Sequence, residues 1–382
     1  MTGRLDFDDA YIAMTDDPKA ALQAYLSAHF ADPGLRLVEF SEPSSGWSRT
    51  TYAMTAESGN GRPPMPLIVQ VQRAQSLILD SDLTRDHAVY QALEGQGLPA
   101  PRALVLELDA RILGGRFIVV ERLRGRCFDP LASGDRKELA EHWPRASALP
   151  DSVIGTLAAV HRVDTARLPF LEGAASAGTT ATFEIDRCRT IARRIGMERD
   201  PFTSFALHWL QRNLPREAWR TLVHGDFYLR NLLIEGEAVS AVLDWEVARL
   251  SDPLMDVAHM CIPYTVGKFL KPGSSLAMGI FPREWALAQY MRRTGRWFSA
   301  STFRFWLVIS TLDLLLTVSG GVTGFQRGQM PDMRSAWLRF AEPVLREDLI
   351  EAILAPLPSW PDAAGHPFYG DEKCQLQRLP TT

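Results

Sequence analysis

Leu222-Val223-His224-Gly225-Asp226-Phe227-Tyr228-Leu229-Arg230-Asn231-Leu232-Leu233-Ile234 and, after a turn, Val242-Leu243-Asp244-Trp245-Glu246 form the stretch on which the fold of this chain turns. Polar groups stand where short apolar runs stop: Thr221–Val223, Leu232–Ile234 and Val239–Leu243 read as strands separated by polar turns. Asn231 lies five residues past Asp226, enough for a loop to curl and aim both side chains at one point. Asp244 follows a short hairpin that returns it beside them. A carboxylate to orient or deprotonate a hydroxyl, with oxygen ligands to hold magnesium against phosphates, is what phosphoryl transfer needs. Singly, each residue reads as a turn, cap or strand-end residue; the joint spacing between apolar flanks makes the set.

The order His-Gly-Asp, four residues, Asn, then Asp-Trp resembles the aminoglycoside phosphotransferase family and its choline kinase-like relatives, over roughly residues 35–350. The resemblance implies an α+β, two-lobed protein-kinase-like fold with a small antiparallel-sheet N-lobe and a mainly helical C-lobe. It makes Asp226 the catalytic carboxylate and Asn231 and Asp244 magnesium ligands. His224 then supports the loop through hydrogen bonds rather than acting as a base. Asp252-Pro253 and Asp256 fit the family's Asp-Pro-x-x-Asp, whose second Asp braces the catalytic loop. Kinase-like enzymes carry a basic residue two after the catalytic Asp, where this chain has Tyr228; Arg230 either supplies that charge or is an Asp-paired or solvated loop residue. Glu246 reads equally as support near the metal or as a surface carboxylate.

Upstream, the pattern divides the chain into residues 1–122 and 123–382. Asp16-Asp17-Pro18 offers a cap and a first-turn Pro, and Leu22, Tyr25, Leu26 and Phe30 recur at helical spacing before Gly34. Short β-type runs follow at Leu35–Phe40, Thr50–Ala56, Leu67–Gln72, Ala103–Leu108 and Arg116–Glu121, interrupted by one helical pattern at Leu83–Leu93. By the resemblance, the turn Ser44-Ser45-Gly46-Trp47-Ser48 covers the phosphates of ATP or GTP, with Gly46 and Ser48 nearest. Glu121 to Leu123 is the hinge whose backbone meets the base. The position aligned with the family's strand Lys or Arg is Gln70, and the paired Glu is replaced by Asp86. Both members of an ion pair are altered together, so the missing charge falls to Arg73 or Arg49 if it is supplied at all.

The second part reads as helices at Ser152–Val160, Phe183–Arg194, Phe202–Leu214, Glu284–Arg293, Phe303–Val318 and Met333–Arg346, with the tail after Pro361 loosely ordered. His161 reads as a helix-end structural histidine. The aromatics Trp285, Tyr290, Trp297, Phe298, Phe303, Phe305 and Trp306 read mostly as core. Arg283, Arg292, Arg293, Arg296 and Arg304, with few acids among them, argue against a polycationic aminoglycoside. They favour a small hydroxylated metabolite of neutral or anionic character, in keeping with a likeness to the domains fused to acyl-CoA dehydrogenases.

With 41 Lys+Arg against 45 Asp+Glu mixed along the chain, there is no basic footprint for nucleic acid or an anionic membrane. The apolar stretch near Leu307–Val318 reads as too short for a bilayer. Cys127, Cys188, Cys261 and Cys374 lack zinc-ligand spacing and read as reduced thiols. An acidic N-terminus without an apolar run points to the cytoplasm; the oligomeric state stays open. The expected activity is phosphoryl transfer from ATP or GTP, with Mg2+, to a substrate hydroxyl. The competing expectation, motivated by Gln70, Asp86 and Tyr228, is a catalytically impaired nucleotide- or ligand-binding protein.

Overall fold

The computed structural model describes residues 17–41, 46–73, 81–130, 132–142, 147–266, 276–330 and 332–355. They fall into two compact units, one within Met1–Glu94 and Pro101–Leu123, the other within Gly95–Ala100 and Arg124–Thr382. Residues 95–100 join the second unit, where the Val242 N–H donates to the Pro99 carbonyl at 2.8 Å.

In the first unit helix α1 (Pro18–His29) opens on Asp17, whose carboxylate accepts from the Ala20 N–H at 2.9 Å, with Pro18 in the first turn. It stops before Gly34: Ala31 takes a left-handed φ of 51° and ends the helix first. Strands β1 (Arg36–Ser41), β2 (Arg49–Glu57) and β3 (Met65–Gln72) are followed by helix α2 (Leu83–Leu93), β4 (Ala103–Glu107) and β5 (Phe117–Glu121). The five strands form one antiparallel sheet in the order β1-β2-β3-β5-β4. Alternation decides which side chains are inside: Tyr52, Met54, Leu67, Val69, Phe117 and Val119 pack with Leu22 and Leu26 of α1 in one core. On β5 the intervening Ile118 and Val120 are buried as well, on the side where α2 packs against β4 and β5.

The second unit is mainly helical. It contains α3 (Ser133–His142), α4 (Leu149–Val160), α5 (Thr180–Ile195) and α6 (Pro201–Arg212). Then come β6 (Thr221–Val223), β7 (Leu232–Glu235), β8 (Ala238–Val242), β9 (Arg249–Ser251), helix α7 (Leu254–His259), and the small hairpin β10 (Leu276–Ala277) and β11 (Phe281–Pro282). The unit closes with α8 (Arg283–Thr294), α9 (Ala300–Gln326), α10 (Met333–Trp337) and α11 (Ala341–Leu354). Helix α9 packs against α5, α6, α7, α10 and α11 and is the axis of this core. Phe305, Trp306, Ile309 and Leu312 on it have no exposed surface.

Two sequence expectations are corrected here. Helix α9 runs well past the expected Phe303–Val318; at 27 residues it is long and apolar enough to cross a membrane by length and composition, but 78% of its apolar window is buried inside the protein. Its apolarity thus follows from its place at the centre of the core. The single helix expected over Met333–Arg346 is broken: α10 ends at Trp337, a 3₁₀ turn spans Leu338–Phe340, and α11 restarts at Ala341. Pro343, which lacks an N–H, sits in the first turn of α11, the one part of a helix that tolerates it. Cys127, Cys188 and Cys261 are free thiols, and burial pushes the Cys261 thiol up to about 12; Cys374, like Ser44, Ser45 and the tail, lies outside the described residues.

Candidate active site

The site grows from two strand pairs. Antiparallel pairing of β6 with β9 and of β7 with β8 anchors both ends of residues 224–231, with Phe227 and Leu229 fully buried beneath the loop. Gly225 holds a left-handed φ of 85°, and a Cβ there would stand 2.6 Å from an Arg249 guanidinium nitrogen and 2.8 Å from the Val247 carbonyl. The position therefore needs glycine on both conformational and steric grounds.

The loop brings Asp226 and Asn231 together. Asn231 Nδ2 donates to Asp226 Oδ2 at 2.8 Å and to the Asp226 carbonyl at 2.9 Å. Asp244 arrives by a backbone link, the Leu243 N–H donating to the Asn231 carbonyl at 2.8 Å. Its φ of 61° turns the chain sharply after β8, a conformation that Asp tolerates better than most residues.

His224 is spent on support. Its Nδ1 accepts from the Asp226 N–H at 3.2 Å and its Nε2 donates to the Leu243 carbonyl at 2.8 Å. That assignment puts the single proton on Nε2 and leaves neither nitrogen for a substrate. The fully buried Trp245 ring lies 4.7 Å from the imidazole.

Beneath the loop, Asp256 Oδ2 accepts from the His224 N–H and Oδ1 from the Gly225 N–H, both at 2.8 Å. The fully buried His161 adds a bond from Nε2 at 3.1 Å and accepts from the Tyr290 hydroxyl at 2.8 Å through Nδ1. Burial disfavours the ionised Asp256, but His161, with the His224 N–H, outweighs it and holds its pKa below the usual carboxylate range. Asp252 caps the other side of α7, accepting from the N–H groups of Trp219 at 2.8 Å and Leu254 at 2.9 Å; burial pushes it up to about 7. Asp256→Ala strands two buried N–H groups and is expected to destabilise the protein by about 2–5 kcal/mol. Denaturant titration reads this as a lower midpoint, and an unchanged midpoint would show that the brace is idle.

A residue the motif did not reveal completes the cluster. His259 Nε2, on a side chain only 9% exposed, lies 3.0 Å from Asp226 Oδ1. The available signal was the spacing Asp256-x-x-His259, which puts both residues on one face of a helix. Burial opposes ionisation of Asp226, but the hydrogen bond and charge of His259, with His224 and Asn231, bring it down to about 2.

Tyr228, where a basic residue was the norm, is buried and its hydroxyl donates to the Thr265 carbonyl. Arg230 is about half exposed, its Nε 3.9 Å from Asp129, an ion pair too long and too wet to hold it tightly. Glu246 is buried, so the surface-carboxylate reading does not apply.

The donor set suits magnesium. Asn231 commits its NH2 to Asp226 and keeps its amide oxygen; Asp244 adds a carboxylate. Mg2+ takes one or two such hard oxygens and completes its shell from phosphates and water. Among the described residues no group of three His, Cys, Asp or Glu is placed to hold an ion unaided.

In the first unit the altered positions meet at one buried ion pair. Asp86 pairs with Arg49 of the adjacent strand, Nη1 to Oδ2 at 2.5 Å, with side chains 5% and 0% exposed. The same Nη1 donates to Gln70 Oε1 at 3.1 Å. The cation beside Asp86 thus stands on β2, whereas the resemblance placed it at Gln70 on β3. Arg73 closes the turn instead, its Nη1 donating to the Gly46 carbonyl at 3.3 Å and its N–H to the Ser48 carbonyl at 3.2 Å. Gly46 is exposed and Ser48 buried. Glu121 ends β5, its N–H bonded to the Arg102 carbonyl at 3.0 Å, and Leu123 follows at the end of the unit.

The five arginines read from sequence as a sign of the acceptor are occupied elsewhere. Arg283 pairs with Glu284 and Arg293 with Asp151. Arg292 bonds Gln289, while Arg296 and Arg304 bond the carbonyls of His161 and Ala355.

Comparison with known proteins matches residues 39–279 to the phosphotransferase enzyme family, APH. Among curated proteins the chain is 28% identical over 251 residues to mouse acyl-CoA dehydrogenase family member 10, covering 65% of this chain and 22% of that one. It is 27% identical over 326 residues to rat acyl-CoA dehydrogenase family member 11, covering 81% and 40%. The chain thus spans well under half the length of these relatives. Among solved structures, a Ralstonia eutropha protein named for the aminoglycoside phosphotransferases superposes with a TM-score of 0.66 at 22% identity, over 87% of this chain and 97% of that one. A thermostable mutant of aminoglycoside phosphotransferase APH(4)-Ia, in ternary complex with ADP and hygromycin B, superposes with a TM-score of 0.54 at 18% identity, over 86% and 98%. These likenesses establish the kinase-like fold.

Proposed function

The chain belongs to the phosphotransferase enzyme family, and on that premise we propose that it transfers the γ-phosphoryl group of ATP or GTP to the hydroxyl of a small metabolite. The observation that carries this reading is the 2.8 Å bond from Asn231 to Asp226, which joins a metal-ligand position to the base position. The ADP and AMP-PNP complexes of APH(4)-Ia support a nucleotide donor.

Asp226 orients the acceptor hydroxyl. The hydroxyl oxygen bonds to the γ-phosphorus as the bond from that phosphorus to the bridging nucleotide oxygen breaks, and the nucleoside diphosphate leaves with the electron pair. The hydroxyl proton passes to Asp226 and on to water. A carboxyl held at about 2 is a weak base, so its main contribution is orientation, which suits a loose transition state. Asn231 and Asp244 would hold Mg2+, which when bound neutralises charge on the phosphates. Arg49 supplies the positive charge that Gln70 lacks in the first unit.

The acceptor class is a hydroxylated acid or acyl metabolite rather than an aminoglycoside. With the five arginines spent on internal contacts, the support is the half-exposed Arg230 four residues from Asp226, which repels a polycation, and the likeness to acyl-CoA dehydrogenase family members. The neutral Gln70 favours one competing reading, a protein that binds nucleotide without turning it over.

Thermal shift with MgATP and MgGTP, then a panel of hydroxylated acids and acyl thioesters monitored for nucleoside diphosphate release, separates these readings. Acceptor-dependent release is the expected result. Binding without release from any acceptor favours the competing reading, and neither binding nor release defeats both.

A further inference from the structure

Helix α7 touches the catalytic loop at two levels. Asp256 binds the loop's backbone at His224 and Gly225, and one turn later His259 reaches the carboxylate itself. The helix is held from behind, where the fully buried Ser310 hydroxyl of α9 donates to the Met255 carbonyl at 2.9 Å.

Asp226 is thereby gripped on both oxygens, Oδ2 by Asn231 at 2.8 Å and Oδ1 by His259 at 3.0 Å. Its side chain nevertheless stays 49% exposed. A histidine–carboxylate pair serving stability alone gains by hiding both partners. Here only the imidazole is buried, and the carboxylate is presented.

We propose that His259 is the positioning residue for Asp226, its Nε2–H fixing the carboxylate in the one orientation in which a free lone pair meets the acceptor hydroxyl. Asn231 alone leaves the carboxylate a pivot about one hydrogen bond, whereas two donors on opposite oxygens remove it. This deepens the phosphotransferase reading and rests on it for the word catalytic, though not for the contact. Burial disfavours the imidazolium, but Asp226 on the loop, Asp256 on the same helix and Asp313 on α9 all act in its favour and hold its pKa above the usual value.

Two measurements on the full chain test the role. In 15N NMR of labelled histidines, the His259 midpoint is expected to lie above that of an ordinary histidine and to fall in Asp226→Asn, which removes the charge that raises it. An unchanged midpoint overturns the couple. Hydrolysis of MgATP, with water as acceptor, reads the consequence. His259→Leu is expected to lower kcat about 10- to 100-fold with the KM for MgATP within about threefold. His259→Gln, which keeps a neutral N–H donor at similar reach, is expected to recover most of that loss and serves as the folding control by its melting temperature. Equal turnover in His259→Leu and the parent, or equal loss in both variants, overturns the positioning role. If the parent consumes no nucleotide with water or with any acceptor of the panel while the NMR shift is intact, the phosphotransferase reading fails and the His259–Asp226 couple stands.

Discussion

Asp226→Asn is expected to lower acceptor-dependent phosphoryl transfer by at least about 10²- to 10⁴-fold while nucleotide binding stays within a few-fold of the parent. The substitution preserves size, and Asn231 can still bond to an amide oxygen, so the loop is expected to keep its path. What disappears is the negative charge that orients the hydroxyl and pairs with His259 at 3.0 Å. The metal positions, Asn231 and Asp244, are untouched, and so is the first unit. Initial-rate kinetics with the acceptor found by the panel, beside calorimetric titration of MgATP, check both halves. Undiminished turnover would remove Asp226 from its assigned role; lost nucleotide binding would show that the loop had collapsed.

The second large effect is expected in the first unit. Arg49→Leu leaves Asp86, with no exposed surface, as an ion buried without its partner cation, and removal of one member of such a pair costs about 3–5 kcal/mol. Hydrogen exchange in β2, β3 and α2 is expected to accelerate accordingly. The informative companion is Arg49→Gln combined with Gln70→Lys, which returns the cation to β3, the strand on which the family resemblance places it. Thr51 and Gln70 are register partners on β2 and β3, so the new ammonium starts one strand away from the old guanidinium. Recovery of more than half of the lost protection is expected. No recovery would show that Asp86 requires the two-pronged guanidinium specifically.

The motif from His224 to Asp244 was legible because its chemistry is local: a loop between short strands brings Asp226 and Asn231 within bonding distance whatever surrounds it. The sheet and the long helices were legible from alternation and helical spacing. His259 was not, because it contacts a residue 33 positions earlier, and its spacing from Asp256 marks a shared helix face without showing what that face meets. The Arg49–Asp86 pair was hidden for a similar reason. Gln70 drew attention to a missing charge, and sequence offered Arg49 and Arg73 as equal substitutes; only the pleat of β2 against β3 distinguishes a guanidinium directed at α2 from one that closes a turn. Strand β9, three residues long, falls below any periodicity. Composition counted five arginines from Arg283 to Arg304 without showing that two of them, Arg283 and Arg293, face carboxylates.

The displaced cation bears on how inactive members of kinase-like families are recognised. By the resemblance, a signature that asks for a basic residue at a fixed place on β3 would meet Gln70 here. The physical requirement is a positive charge beside a helix carboxylate, and a neighbouring strand meets it equally well.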